Sequence, residues 1–152
     1  MTAGRLAGIA RRNRSRGEMV TLSSVAVSRA AGVEGDFRGA LKPGRNRRQL
    51  SLMEAESWAE ALADLRVDIP WWSRRANLLV EGLRFPREAG IRIRIGKTCL
   101  LEVTMECDPC RRMEEVAPGL EAALRPDWRG GLLTIVREDG HIALGDEVRI
   151  EG

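Results

Sequence analysis

A reversal in the second half of the chain constrains its fold more than any other feature. Ile91-Arg92-Ile93-Arg94-Ile95 alternates apolar and charged residues, Gly96-Lys97 turns the chain, and Thr98 to about Glu106 runs back. Successive side chains of a strand point to opposite faces, so this alternation marks a half-buried strand. The returning segment places Cys99, Leu101, Val103 and Met105 on one face, with Cys107 next in that series. Glu102, Thr104 and Glu106 fall on the other.

Other stretches read the same way. Arg5 to Ala10, Val20 to Val27, Gln49 to Met53, Asn77 to Val80, Leu132 to Val136 and Val148 to Ile150 are strand candidates. Asp139-Gly140 is a hairpin signal, and Gly145-Asp146 is a turn. Between them Glu54 to Leu65 switches to a helical period, with Ala55, Trp58, Ala59, Leu62 and Leu65 at three- and four-residue steps. A shorter helical stretch surrounds Leu120 to Leu124. Sixteen glycines spread along 152 residues add many turns. The expectation is a mostly-β single domain over 1–152, a barrel or sandwich carrying one or two short helices. No strand-helix-strand alternation recurs, and neither a Gly-x-Gly-x-x-Gly nor a phosphate-loop motif occurs, so a doubly wound nucleotide-binding fold is disfavoured.

Charge narrows the class of ligand. Of 25 basic residues 23 are arginine, against 22 acidic ones, for a net charge of +3. The planar guanidinium binds phosphate and carboxylate in a bidentate manner, so the bias favours an anionic ligand, although a GC-rich genome produces the same composition. No apolar run reaches the roughly 18 residues of a membrane span. The first residues, Met-Thr-Ala-Gly-Arg-Leu-Ala-Gly-Ile-Ala-Arg-Arg, lack the apolar stretch of a signal peptide. A cytoplasmic protein without membrane contact is expected. Three cysteines make no disulfide framework, so reduced thiols are expected as well.

The chemistry concentrates at Cys107-Asp108-Pro109-Cys110. A zinc site needs two more ligands, and Cys99, read as facing the core, and the single histidine His141 do not converge on it. A dithiol redox pair belongs between a strand and a helix of a βαβ unit, which is absent. Two readings stay open. In one, Cys110 is a reactive thiol or metal ligand presented on a Pro109-stiffened turn beside Arg111 and Arg112, with Cys107 packed beneath it. In the other, both cysteines are inert packing groups. The basic stretches Arg11 to Arg16 and Lys42 to Arg48 raise a nucleic-acid-binding module as a further class. Aromatic content of 4% with no tyrosine argues against a stacking platform.

Polar groups recur at the starts of strands: Gly35-Asp36, Arg48-Gln49 before Leu50-Ser51-Leu52, and Arg75-Ala76-Asn77 before Leu78-Leu79-Val80. With Gly32-Val33-Glu34-Gly35-Asp36, Ile95-Gly96, Leu101-Glu102-Val103-Thr104, Pro109-Cys110 and the closing Gly140 to Val148, this ordered set resembles the MOSC domain family. That family occurs at the C-terminus of molybdenum cofactor sulfurases, in amidoxime-reducing components and as stand-alone bacterial proteins. The resemblance implies a β-barrel whose cleft holds a molybdopterin-type molybdenum cofactor. It implies Cys110 as the metal ligand and catalytic thiol, Arg75 and Asn77 as a cofactor-contacting pair, and Asp36, Arg48 and Arg111 as further cofactor-binding residues. One departure is visible: Phe37-Arg38 follow Asp36, where stand-alone members often carry a histidine.

Two functions follow from the resemblance. One is a cofactor-binding oxidoreductase acting on a small molecule such as an N-hydroxylated compound, with a redox partner. The other is a sulfur carrier loading a persulfide on Cys110 from a cysteine desulfurase.

Overall fold

The computed structural model describes residues 3–44 and 46–151. Eleven strands follow in chain order: β1 (Ala3–Arg11), β2 (Val20–Thr21), β3 (Ser24–Ser28), β4 (Gly32–Val33), β5 (Leu50–Glu54), β6 (Leu78–Glu81), β7 (Arg92–Ile95), β8 (Cys99–Glu106), β9 (Leu132–Glu138), β10 (Gly140–Ala143) and β11 (Glu147–Ile150). Three helices accompany them: α1 (Ala55–Leu65), α2 (Arg112–Val116) and α3 (Leu120–Leu124).

The large sheet runs β11-β7-β8-β9-β5-β6-β1-β2, and β11 also pairs with β1, so seven strands close into a barrel. Closure comes from the two ends of the described chain, with Ala3 opposite Arg149 and Arg5 opposite Glu147. A closed ring leaves no long unpaired edge within it. β10, β3 and β4 form a separate small sheet. The expected barrel is therefore observed, with three short helices where one or two were expected. No helix among the described residues is long and apolar enough to cross a membrane.

Strand alternation divides the core in two. Leu6, Ile9, Leu52, Leu78, Val80, Ile93, Ile95, Leu101 and Val103 fill the barrel interior. On its outer side Met53 and Leu79 meet Trp58 and Ala61 of α1, Met113 of α2 and Leu120 and Leu124 of α3. β5 is thus covered on both faces, and all five of its residues are buried. Its continuous run Leu-Ser-Leu-Met reflects that double cover. β5 and β6 run parallel, with Leu52 opposite Leu78. Their starting residues consequently lie side by side.

Four details differ from expectation. The single strand read over Val20 to Val27 is broken at Leu22-Ser23 into β2, paired with β1, and β3, in the small sheet. Asp139-Gly140 makes no hairpin: β9 runs on into β10, which pairs with β3, and Asp139 instead accepts the Arg29 N–H. Ala59 of α1 is exposed and Ala61 is fully buried in its place. A register irregularity between Val103 and Met105 turns Met105 outward to 40% exposure, so only Cys99, Leu101 and Val103 of the expected β8 face, with Cys107 beyond it, are buried.

Glu54, at the junction of β5 and α1, is a buried carboxylate. Burial pushes its pKa up, but hydrogen bonds from Arg87, the Ser57 hydroxyl and the Phe85 N–H outweigh this and hold it below the usual value. A depressed carboxyl contributes stability above the unfolded pKa of about 4.3 and loses that contribution as pH falls through the folded value. Glu54→Gln is expected to cost roughly 1–3 kcal/mol at neutral pH. The deficit should shrink below about pH 4. Urea unfolding of both proteins across that range measures it.

Candidate functional site

The Cys-Asp-Pro-Cys segment leaves the end of β8 and is fixed at its first residue. The Cys107 N–H donates to Gly131 O at 2.9 Å, and Cys107 is buried. Pro109 is buried as well, whereas Cys110 is exposed. The Cys110 carbonyl accepts the Met113 N–H at 2.9 Å and so begins the turn of α2. The third thiol, Cys99, is fully buried inside the barrel, where burial pushes its pKa up to about 12.

Arg74 locks this segment to its surroundings. It ends a single 3-10 turn, Trp71–Arg74, and is buried. Its Nε donates to Gly130 O at 3.1 Å, and its Nη2 donates to Cys107 O at 2.9 Å and to Cys107 Sγ at 3.3 Å. A Cβ on Gly130 would stand 2.6 Å from Cys107 O and 3.2 Å from that Nη2. The residue there must be glycine for the three groups to meet.

The next residue, Arg75, is left-handed at φ 68, which costs a non-glycine residue of order 1 kcal/mol. Its Nη2 donates to Gly17 O at 2.6 Å, tying the Arg11 to Gly17 loop down. Consecutive arginines thus serve different segments. Burial pulls the Arg75 pKa down to about 10, with Arg112, Arg12 and Arg16 adding to the fall.

These pieces surround an open cleft of about 520 Å³. Arg48, Arg74, Arg75, Arg111 and Arg112 line it together with Cys107 and Cys110. Arg12, Arg16 and Arg38 complete the wall, and among the described residues the only acids lining it are Asp108 and Glu115. Burial lowers the pKa of Arg12 and of Arg48. Asp36 opposes this at Arg12, and Cys107 and Asp36 oppose it at Arg48, while neighbouring arginines reinforce it at both. The Arg12 Nε is buried without a hydrogen-bond partner among the described residues. Such a concentration of like charge in a partly dry cleft is matched by a multiply charged anion.

The structure brings Cys110, Arg48, Arg75 and Arg111 into this one cleft. Asp36 and Asn77 stand outside its lining. Asp36 accepts the Arg12 and Arg38 N–H groups at 3.1 and 3.2 Å and so orders the arginine wall from behind. Asn77 is buried, with its Oδ1 accepting the Ser51 N–H and its Nδ2 donating to Ala10 O, both at 3.1 Å. Its amide joins β5 to β1. Gln49 is a second such bolt: its Nε2 donates to Arg29 O and Gly39 O, and its Oε1 accepts the Val136 N–H. His141 is exposed on β10 and lines no part of the cleft.

Sequence reasoning missed Arg74, whose Trp-Trp-Ser-Arg-Arg context gives no hint of its partners 33 and 56 residues away. The stretch Arg11 to Arg16, which raised a nucleic-acid-binding module only as a further class, contributes Arg12, Ser15 and Arg16 to the lining of the cleft that holds Cys107 and Cys110. Among the described residues no group of three or more His, Cys, Asp or Glu side chains is placed to hold a metal ion.

Three comparisons bear on this arrangement. The family model described as MOSC domain matches residues 41–149. The crystal structure of the YUAD protein from Bacillus subtilis superposes with a TM-score of 0.82 at 21% identity, covering 97% of this chain and 95% of that one. YiiM from Escherichia coli gives 0.68 at 15% identity, over 97% and 70% of the two chains. YiiM from Geobacillus stearothermophilus gives 0.67 at 16%, over 98% and 73%. At these identities the likeness is one of fold. No curated protein matches.

The burial differences predict three distinct thiol reactivities. In the native protein Cys110 should alkylate first, Cys107 more slowly, and Cys99 only on unfolding. Time-resolved alkylation read by peptide mass spectrometry checks the order, and Cys110→Ser should abolish the fast phase alone.

Proposed function

This chain belongs to the MOSC domain family, and from that premise and the arginine-lined cleft we propose that it binds a molybdopterin-type molybdenum cofactor with Cys110 as the protein's ligand to the metal. The family is associated with molybdenum cofactor binding. The observation that carries the reading is the pairing of an exposed soft thiol with a wall of eight arginines in one cleft.

The residues fit such a group on chemical grounds. A thiolate is a soft ligand. Because no cluster of metal ligands accompanies it among the described residues, a metal here would depend on further donors carried by its own organic scaffold, as a dithiolene pterin provides. Arg48, Arg75 and Arg111 suit a terminal phosphate through bidentate donation. When bound, the cofactor supplies two-electron redox chemistry at the metal. The chain's own residues do the rest. Arg74 holds the Cys107 end of the turn rigid, so Pro109 and the first turn of α2 present Cys110 at a fixed place. Arg75 and Gly17 pin the loop that forms the opposite wall.

We propose a reductase of small N-hydroxylated compounds as the activity, dependent on a separate electron donor. Expression in a host that makes the cofactor tests the binding step. Purified parent protein should contain molybdenum and pterin in comparable amounts, and Cys110→Ala should lose most of the metal. Parent and Cys110→Ala preparations that are both free of molybdenum would overturn the reading.

The exposure of Cys110 beside Arg111 and Arg112 also supports a second reading, a sulfur carrier. The Cys110 thiolate would attack the terminal sulfur of a desulfurase persulfide, forming Cys110-S-SH and releasing the desulfurase thiol with no net oxidation. Incubation with a cysteine desulfurase and cysteine should then add one sulfur atom to the peptide carrying Cys110. An unchanged peptide mass counts against it.

A further inference from the structure

A second cavity, of about 550 Å³, adjoins the thiol cleft and shares Arg38 and Arg48 with it. Its chemistry is different. Phe37, Met105 and Leu133 give it an apolar lining, and Lys42 and Arg47 add two cations that the thiol cleft lacks. No acidic residue lines it, and none of its four cationic side chains makes a salt bridge among the described residues.

The apolar part is held open to solvent. Phe37 is 44% exposed and Met105 is 40% exposed. Met105 is turned outward by the irregularity in β8 and stands opposite Leu133 on β9, so both belong to the rigid barrel wall. The Thr104 hydroxyl has one proton to share between Leu133 O and Arg47 O, both within reach, which sets the cationic loop against the same wall. The Phe37 N–H donates to Arg12 O at 2.7 Å. The cavity is therefore framed by the barrel wall and the loop tied to it, and its volume is within the roughly 300–1,000 Å³ range of small-molecule sites.

We propose that this cavity binds a flat apolar acid, an aromatic carboxylate or a close relative of one. A small inorganic anion would satisfy the cations and leave Phe37 and Met105 in water. An uncharged arene would cover those two side chains and leave the cations facing an apolar surface. An aromatic acid does both, because its ring covers the apolar wall while its carboxylate accepts from a guanidinium fork or the Lys42 ammonium. The shared arginines put such a ligand next to the cleft that holds Cys110. Its role as the substrate side of the site rests on the cofactor reading, but its existence does not.

Isothermal titration of the cofactor-free protein with 2-naphthoate, 2-naphthamide and inorganic phosphate tests the proposal. Naphthoate should bind at least about tenfold more tightly than naphthamide, a difference of about 1.4 kcal/mol. Phosphate at the same concentration should displace it poorly. Lys42→Ala with Arg47→Ala should weaken naphthoate at least about fivefold, and Phe37→Ser should do the same, with thermal melting confirming that each variant is folded. Cys110→Ala should leave the affinity unchanged. Equal affinity for naphthoate and naphthamide, full competition by phosphate, or retained affinity in both folded variants would overturn the proposal. The titration uses no molybdenum, so its failure and a failure of the cofactor reading remain distinguishable.

Discussion

The site depends on one guanidinium. Arg74 reaches the Gly130 carbonyl with one nitrogen and both the carbonyl and the sulfur of Cys107 with another. These contacts join the segment before β6 to the end of β8 and the start of β9. A buried arginine is tolerated only where its donors are satisfied. Here the acceptors are mostly backbone carbonyls, which carry no countercharge. Its positive charge therefore persists at the inner end of the cleft instead of being cancelled there, and the other arginines stand around a cation.

That arrangement raises the question of how the folded state sustains so many like charges. Two answers are visible. Asp36 sits behind the wall and uses its carboxylate on backbone N–H groups of the arginines' own segment. Arg75 turns one of its donors onto the Gly17 carbonyl. Burial first, and the neighbouring arginines after it, hold the pKa values of Arg12, Arg48 and Arg75 below the usual arginine value. Elsewhere on the barrel arginines are paired conventionally, as in Arg94 with Glu138 and Glu151 or Arg137 with Glu102. None of the eight arginines lining the cleft forms such a pair among the described residues.

The barrel itself was legible in the sequence because its signals are local. Alternation at Ile91 to Ile95, the helical period after Glu54 and the turn glycines each act over a few residues. Features set by distant approach were not legible. Whether Val20 to Val27 is one strand or two depends on β1 and β10 competing for it. The outward turn of Met105 follows from the β8 and β9 register, which no pattern within β8 records. For the site, local motifs drew attention to Cys110, Arg48, Arg75 and Arg111, which share the cleft, and to Asn77, whose amide is engaged by backbone instead. Arg74 stayed hidden because its meaning lies in Gly130 and Cys107. The family resemblance supplied the order of these pieces, which composition and periodicity could not.

The barrel has seven strands, and an odd ring cannot alternate direction all the way around. At least one neighbouring pair must point the same way, and here it is β5 with β6. Two parallel neighbours cannot be joined by a tight hairpin, so the chain has to leave the ring and travel back before it can begin β6. α1 and the Trp71–Arg74 turn are that return path. It delivers Arg74, Arg75 and Asn77 beside Arg48 and Ser51 at the start of β5. The odd number of staves is thus what brings the arginines together, and a relative that gained or lost a strand from the ring would have to find another way to assemble the cleft.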